Sequence, residues 1–486
     1  MRAIHVLGVM MLISNVLIST LALAQDTDFD TAPAPLAPSL PRLGSPENQV
    51  LSASEEARIG REMLREVRRA LDWVDDPAIN AYVRDLGARI AAATSMPAAR
   101  YQFFVIDDPR INAFAMPGGF IGIHSGLITA SRTESELGAV IAHELSHVTQ
   151  RHIAERIAAA QGTNLRTAAM VLAGILIGSQ NPQAGMAAAT SGMASGIDAQ
   201  LGYSREQERE ADRQGMRILA NAALNPEGMP DFFTVLNDDS RYRRSPPPFL
   251  STHPLTEARI ADARAIAAEI KPQNRFESPD YAYIRARAQL LEADSRDDAL
   301  AAFQARMDAA PSPGERYGLA LALIETGEPA RGAEHLQTLR AAQGENALLH
   351  LGLAEAALAQ NQLDTALDWL EQGLSLFPDQ PALRTAQVET QLQAGAPEAA
   401  LDLTRTLTHE RPQAVEIWAL HAKAASEAGD DTESTIAMAH YYAVQGDLEA
   451  GLSQLRKVDQ RRASASQWAR TQALRERWEQ RLTTAG

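Results

Sequence analysis

The chain has 486 residues, 45% of them hydrophobic, which is enough for two or three domains with cores of their own. It contains no cysteine, which excludes disulfide bonds, thiolate zinc ligands, cysteine nucleophiles and lipid attachment to a cysteine. The formal net charge of −16 argues against anionic partners, such as nucleic acid, that a protein binds through an overall positive charge. We therefore expect no nucleic-acid partner, while peripheral association with a membrane stays open.

The N-terminus has the features of an export signal. A short basic start and an apolar run end in the tripeptide ALA before Gln25, which is a small-x-small cleavage site. We predict a signal peptide over residues 1–24, cleaved after Ala24, and hence a periplasmic protein. The alternative is an uncleaved membrane anchor. Residues 25–48 are Pro-rich and are predicted to form a flexible linker.

Residues 49–272 mix helical and strand patterns and form the first predicted folded domain. Helices are predicted from Leu51 and over 77–93. The run YQFFVIDD at 101–108 predicts a strand, and residues 111–128 predict two short strands around a Pro-Gly-Gly turn.

The next predicted helix begins with a capping box at Thr133 and runs to about residue 160. It contains AVIAHELSHVTQRH, in which His143, Glu144 and His147 form a His-Glu-x-x-His motif. Residues four apart project from one face of a helix, so both imidazoles can bind one Zn²⁺ per subunit. Glu144 would act as general base and then general acid.

The alternative is a polar patch on the helix, but apolar neighbours such as Ile141 and Leu145 predict burial. Buried His and Glu without a partner would be costly, which favours the metal site. His124, on a strand, is not expected to be a ligand. His152 is predicted to lie at the more solvent-exposed end of the helix.

A third ligand is expected from the helix in YSREQEREADRQGMRILA, which begins at residue 203. Glu206 and Glu210 share a solvated face, whereas Glu208 shares an inward face with small residues and Asp212. Glu208 is therefore the predicted third ligand. Asp212 is predicted to accept a hydrogen bond from His143 and so fix its orientation.

If the zinc site is that of a protease, its substrate would be held extended, and the strand around Phe120 is predicted to pair with it edge-on. Gly118, Gly119 and Gly122 would allow close approach of the substrate backbone, or they simply make a tight turn. Arg259 is a candidate for stabilising the oxyanion, against the alternative of a salt bridge on its helix.

Residues 162–200 are rich in Ala, Gly and Met. They are predicted to form buried helices, with a mobile lid over the cleft as the alternative.

Residues 273–486 show an internal repeat. A Gly or Asn recurs every 34 residues, and a small residue follows it five positions later in three of the four units. The first set is Gly327, Asn361, Gly395 and Gly429, and the second is Gly332, Ala366 and Ala400. This spacing is typical of tetratricopeptide repeats, which have two helices per unit and form a concave surface for polypeptide partners.

The motifs HELSH and EREAD resemble those of the zinc peptidases that include HtpX and the CAAX prenyl proteases. The segment STHPLTEARIADAR, the export signal and the repeats resemble the BepA-like periplasmic subgroup. The resemblance implies a mainly α (α+β) fold, in which a zincin-like metallopeptidase domain with a small β-sheet is followed by an α-solenoid of repeats.

The resemblance also implies a role in assembly and quality control of outer-membrane proteins. The expected substrates are unfolded or misfolded β-barrel proteins, and the repeats would bind the barrel-assembly machinery. His253 would occupy the open zinc position and hold the enzyme latent; the alternative is an ordinary loop histidine. A rival function is an assembly factor or chaperone whose peptidase site is largely silent.

Overall fold

The computed structural model of the protein describes residues 51–159, 203–242, 246–270 and 276–485, together with Gly174. The segment predicted as buried helices or a lid, and the boundary predicted at 272/273, lie outside these residues. We call the described residues up to 270 the peptidase part and those from 276 the repeat part.

Two helices open the peptidase part, close to where they were predicted. Helix α1 (Ala53–Ala70) begins after Ser52, which forms a capping box with Glu55. Helix α2 (Pro77–Ala92) begins after Asp76, whose carboxylate accepts hydrogen bonds from two main-chain N–H groups of the first turn.

A three-stranded sheet follows, with strands β1 (Gln102–Ile106), β2 (Ala113–Met116) and β3 (Phe120–His124). The order is β1-β3-β2, so the last strand in sequence lies in the middle. Strand β3 pairs in parallel with β1 and antiparallel with β2. The sheet confirms the predicted strands, except that the chain after His124 turns at once into helix.

The remaining helices of the peptidase part are α3 (Ser125–Ala130), α4 (Glu134–Thr149), α5 (His152–Ala159), α6 (Arg205–Asn221), α7 (Gly228–Tyr242), α8 (Pro248–Thr252) and α9 (Glu257–Glu269). The prediction of one helix from Thr133 to about residue 160 was wrong. Arg151 has a left-handed φ of 61°, which ends α4 before it and lets α5 start in a new direction.

The repeat part consists of helices packed in consecutive pairs, as the 34-residue spacing predicted. They are α10 (Asp280–Leu291), α11 (Arg296–Ala309), α12 (Pro313–Glu325), α13 (Pro329–Gln343), α14 (Ala347–Ala359), α15 (Leu363–Leu376), α16 (Pro381–Gln393), α17 (Pro397–Glu410), α18 (Val415–Glu427), α19 (Asp431–Val444), α20 (Leu448–Leu455) and α21 (Ala465–Ala485).

The repeated Gly or Asn has a physical cause. Gly327, Asn361, Gly395 and Gly429 all have φ between 57° and 88°. Each ends the first helix of a pair in the left-handed conformation, which Gly and Asn adopt at least cost. The repeat in the sequence is therefore a repeat of one turn between two helices.

The repeat part does not stand apart from the peptidase part. One contiguous cluster of buried apolar side chains runs from Val74 in the peptidase part to Leu383 in the repeat part. Arg287 of α10, a half-buried residue, lies 2.8 Å from Asp76 and 2.6 Å from Glu355 of α14. The two parts thus share one core. Among the described helices, none is long and apolar enough to span a membrane.

Candidate metal centre

Helix α4 is the central helix of the peptidase part. Every residue from Glu134 to His147 is buried, including the His-Glu-x-x-His motif. Burial of ionisable groups is costly unless they find partners inside the protein. The motif therefore depends on what neighbouring elements bring to it.

Helix α6 packs directly on α4. A methyl group on Gly215 would lie only 3.2 Å from the His143 main-chain nitrogen, so the glycine sets the close approach of the two helices. The predicted helical phase agrees with the structure: Glu208 and Asp212 are buried, whereas Glu206 and Glu210 are exposed.

Four side chains bring ligand atoms to one point. Atoms of His143, His147, Glu208 and His253 lie within 4.8 Å of one another, and all four residues are buried. His143 Nε2 is 3.1 Å from His147 Nε2 and 3.2 Å from His253 Nδ1. Glu208 Oε1 is 3.4 Å from His147 Nε2 and 2.9 Å from His253 Nδ1.

These separations fit a small cation with nitrogen and oxygen ligands. Two ligands at tetrahedral positions, each about 2.05 Å from Zn²⁺, are about 3.3 Å apart. Three buried imidazole nitrogens facing one another would repel through their lone pairs, and a shared cation removes that repulsion. The residues present therefore fit a zinc ion.

Asp212 lies against one member of this group, the residue it was expected to contact. Its Oδ1 lies 3.0 Å from His143 Nδ1, so the ligand nitrogen Nε2 is turned toward the other three residues. Arg259 in turn donates two hydrogen bonds of 2.8 Å to the Asp212 carboxylate. It also contacts Glu208 and donates to the Pro254 carbonyl.

The structure therefore gives no support to the oxyanion expectation for Arg259. Its guanidinium is buried and turned toward two carboxylates and a carbonyl. The alternative of a salt bridge agrees better, although the bridge joins α9 to α6 and does not lie within one helix.

The charges around the site shift several pKa values. Burial alone would raise the pKa of Glu208, but the neighbouring His253 and His147 hold it well below its ordinary range, so the carboxylate stays ionised. Burial lowers the pKa of His147 well below its ordinary value and keeps it neutral, as a metal ligand must be. Burial raises the pKa of Glu144, which favours its holding a proton.

His253 ends the short helix α8 and is 2% exposed. Its Nδ1 faces the ligand cluster, and its Nε2 lies 3.3 Å from Glu144 Oε1. Its ring stacks on Phe249, with the two ring centroids 4.5 Å apart. The structure thus places His253 between the predicted general base and the predicted ligands.

His152 does not lie at a wet helix end, and that expectation was wrong. It is 3% exposed, and its Nδ1 lies 3.0 Å from Nδ1 of His147. The left-handed Arg151 turns the chain so that His152 faces back toward α4. Nothing in the residue pattern predicts that turn, and this is why His152 was missed.

The substrate-strand expectation was also wrong in its choice of strand. Both edges of β3 are occupied, by β1 and β2, so no peptide can pair with Phe120 edge-on. A methyl group on Gly118, Gly119 or Gly122 would meet Ala57, the Arg100 carbonyl or the Phe114 ring respectively. Gly118 and Gly119 form the turn between β2 and β3, Gly122 lies within β3, and all three pack against the protein's own elements.

Strand β2 is the strand nearest the site. It pairs with β3 on one side, and the main chain of Ala115 lies beside the Glu144 carboxylate. His124 is buried on β3, where its Nε2 lies 3.4 Å from the Asn112 amide, and it does not belong to the ligand group.

Residues 77–267 match the model of the peptidase family M48, and residues 323–388 and 357–424 match tetratricopeptide repeats. The beta-barrel assembly-enhancing protease of Escherichia coli K12 is 32% identical over 423 residues, which cover 86% of each chain. A putative beta-barrel assembly-enhancing protease of Vibrio cholerae is 33% identical, over 84% of this chain and 85% of the relative. The mitochondrial metalloendopeptidase OMA1 of Schizosaccharomyces pombe is 30% identical over 37% of this chain and 50% of its own.

Proposed function

Because the chain belongs to the peptidase family M48, we propose that it is a zinc-dependent endopeptidase that acts on misfolded or stalled outer-membrane proteins. The resemblance predicted from the two motifs is confirmed by this membership. The observation that carries the proposal is the group of four buried ligand atoms within 4.8 Å, placed directly beside Glu144.

In the proposed reaction His143, His147 and Glu208 hold the ion, which when bound supplies Lewis-acid polarisation of the peptide carbonyl and of water. Glu144 takes the proton of the attacking water and passes it to the leaving amine. The burial that raises the pKa of Glu144 favours the protonated form between those two transfers. Asp212 keeps the His143 ring in its ligating orientation.

We place the substrate along β2, at the edge that no described strand pairs with, and not along β3. An extended peptide there would make main-chain hydrogen bonds that do not depend on its sequence. It would also run past Glu144, since Ala115 of β2 already contacts that carboxylate.

The test of the peptidase is cleavage of an unfolded outer-membrane β-barrel protein by the mature chain, with Glu144→Gln as the matched variant. The carboxylate contributes about 10²- to 10⁴-fold through proton transfer, so the variant should lose at least that much activity while it still binds zinc. Equal activity of the two proteins would contradict the proposal.

His253 is proposed to keep the enzyme latent. Its imidazole lies at the ligand cluster and 3.3 Å from Glu144, where an attacking water would otherwise be activated. The segment that carries it is anchored by main-chain hydrogen bonds from Phe249 to the Ile111 carbonyl and from Tyr203 to the Thr252 carbonyl.

A His253→Ala variant separates two effects of the latch. Zinc should bind more weakly because a fourth ligand is lost, whereas peptide cleavage should be faster because the position is open. Zinc competition and initial cleavage rates measure the two effects. A variant that is slower than wild type while fully loaded with zinc would contradict the latch.

The proposed partners follow from the relatives and the repeats. The relatives from Escherichia coli and Vibrio cholerae are named for enhancing β-barrel assembly. We propose that the repeat part binds the barrel-assembly machinery or its unfolded clients in the periplasm. The mass of the mature protein tests export, since cleavage after Ala24 and retention of the N-terminus differ by 24 residues.

The rival function is an assembly factor with a largely latent peptidase site. The close contact of His253 with Glu144 favours it, because the site as described is closed. Glu144→Gln in cells discriminates between the two. Normal barrel assembly with lost cleavage would show that assembly support does not need the peptidase.

A further inference from the structure

We infer that His152 is the positioning residue for the ligand His147, and that it accepts a hydrogen bond from His147 Nδ1–H through its own Nδ1. The inference rests on the proposed function, because it concerns the residues proposed to hold zinc. It assigns a role to a residue outside the predicted site.

The two ring nitrogens of His147 face different partners, one toward the ligand cluster and one toward His152. Its Nε2 faces the ligand cluster, 3.1 Å from His143 Nε2 and 3.4 Å from Glu208 Oε1. Its Nδ1 points away from that cluster and lies 3.0 Å from His152 Nδ1. A ring that ligates through Nε2 carries its proton on Nδ1, and that proton needs an acceptor in a buried site.

His152 can be that acceptor. A neutral imidazole with its proton on Nε2 has a lone pair on Nδ1. The Nε2 side of His152 faces the exposed Glu210, 3.9 Å away, which favours the proton there. Tyr203 covers the face of His147, with ring centroids 3.7 Å apart, so the Nδ1 edge is left to His152.

The backbone turn at Arg151 directs His152 toward His147. Arg151 holds a left-handed φ of 61°, a conformation that costs free energy for any residue but glycine. Its side chain is tied to Glu56 and to the Leu51 carbonyl, which holds the turn in place. The outcome is that His152 is 3% exposed and faces α4.

The site then has two matched supports. His143 is oriented by Asp212 at 3.0 Å, and His147 by His152 at 3.0 Å. The two supports come from different elements, α6 and α5, and each contacts the nitrogen that the metal does not need. Loss of such a partner typically weakens metal affinity about 10- to 100-fold.

The test compares His152→Leu with His152→Asn in the mature full-length chain. Leucine has a branch at the position of Nδ1 but no acceptor, whereas the asparagine side-chain oxygen can occupy that position and accept. Zinc affinity is measured by competition with a chromophoric chelator, and thermal unfolding of the metal-free proteins reports folding. His124→Gln, a change at another buried histidine of the peptidase part, is the control.

We expect the leucine variant to bind zinc at least about tenfold more weakly than wild type, and the asparagine variant to recover most of that loss. The control should bind like wild type. Wild-type affinity in the leucine variant, or equal weakness of the asparagine and leucine variants with normal metal-free unfolding, would overturn the inference. If the leucine variant does not fold, His152→Ala replaces it in the same comparison.

The same assay separates this inference from the proposed function. A wild-type chain that binds no zinc would overturn both. Tight zinc binding by wild type that is unchanged in the leucine variant would overturn only the role of His152.

Discussion

At the scale of single residues, the metal centre is a set of buried charges that neutralise one another. Asp212 is 4% exposed and lies between His143 and Arg259, while Arg259 also contacts Glu208. Burial alone would raise the pKa of Asp212, but hydrogen bonds from His143 and Arg259 lower it. Removing one member takes counter-charge away from its buried neighbours.

Asp212→Asn should therefore lower both stability and zinc affinity. Loss of the charge leaves Arg259 buried without its bidentate partner, which typically costs about 3–5 kcal/mol. Urea unfolding of the metal-free protein measures the first effect and chelator competition the second. Glu206→Gln, on the solvated face of α6, is the matched control and should change neither. Wild-type stability in the metal-free Asp212→Asn protein would contradict this account of the pair.

The sequence predicted the residues of this network better than their connections. Helical phase alone separated Glu208 from Glu206 and Glu210, because α6 is a regular amphipathic helix. Arg259 and His152 could not be assigned in the same way. Their contacts depend on how α9 meets α6 and on the left-handed turn at Arg151, and neither has a periodic signal.

At the scale of elements, the sheet shows why strand order matters to function. The strands were predictable from their composition, but their order was not, since β3 inserts between β1 and β2. Under the substrate placement proposed above, that order makes β2 the substrate strand, where β3 was expected. Local sequence predicts a strand, whereas long-range pairing decides which strand has a free edge.

The repeat helices depend on small residues where they cross. Ala366 of α15 is fully buried, at the position where the repeat requires a small residue. Ala366→Leu should destabilise the protein by about 1–3 kcal/mol, because the two helices cannot separate without losing their packing. Chemical denaturation measures the loss. The neighbouring Thr365→Leu is exposed and should stay within about 0.5 kcal/mol of wild type. Equal effects of the two changes would contradict the predicted crossing.

Helix α19 contains a buried carboxylate that links stability to pH. Burial alone would raise the pKa of Glu433, but the hydrogen bond to His421 and the charge of Arg470 lower it to about 2. Because the pKa is lowered on folding, this group stabilises the protein above its unfolded value of 4.5 and loses that contribution as the pH falls toward 2. The difference corresponds to roughly 3 kcal/mol.

Glu433→Gln should therefore be less stable than wild type at neutral pH, with a gap that narrows as the solution is made acidic. Unfolding free energies of both proteins, measured from about pH 7 down to the lowest pH at which wild type stays folded, give that gap. A gap that stays constant below about pH 4.5 would contradict the assigned pKa shift.

At the scale of the whole molecule, the peptidase part and the repeat part are joined by more than a chain connection. Glu277, just before α10, accepts hydrogen bonds from the main-chain N–H and the hydroxyl of Ser135 in the first turn of α4. The Ser278 N–H donates to Glu134. The start of the helix that carries two of the proposed metal ligands is thus held by the start of the repeat part.

This shared core predicts cooperative unfolding. Arg287→Ala would leave the carboxylates of Asp76 and Glu355, one in each part, without their common cation, at a cost of about 1–3 kcal/mol because the group is only partly buried. Calorimetry should show one transition in wild type and one transition at lower temperature in the variant. Arg331→Ala, at an exposed pair with Glu328, is the control. A second transition that leaves the peptidase part unaffected would contradict the shared core.

The repeats themselves could be predicted from the 34-residue spacing, since each unit repeats the same left-handed turn. Their attachment to the peptidase part could not be predicted, because the contacts join residues far apart in the chain, such as Arg84 of α2 and Glu416 of α18. Length and composition indicate two or three domains, and they cannot predict that the cores of the two parts merge.

Whether the protein is a zinc endopeptidase with Glu144 as its base is best tested by proteolysis of an unfolded outer-membrane β-barrel protein with zinc-loaded His253→Ala. The double variant His253→Ala/Glu144→Gln, loaded with zinc to the same extent, is the blank. We expect the single variant to cleave the substrate faster than wild type, and the double variant not to cleave it. No cleavage by the zinc-loaded single variant, or equal cleavage by both, would contradict a zinc endopeptidase with Glu144 as its base.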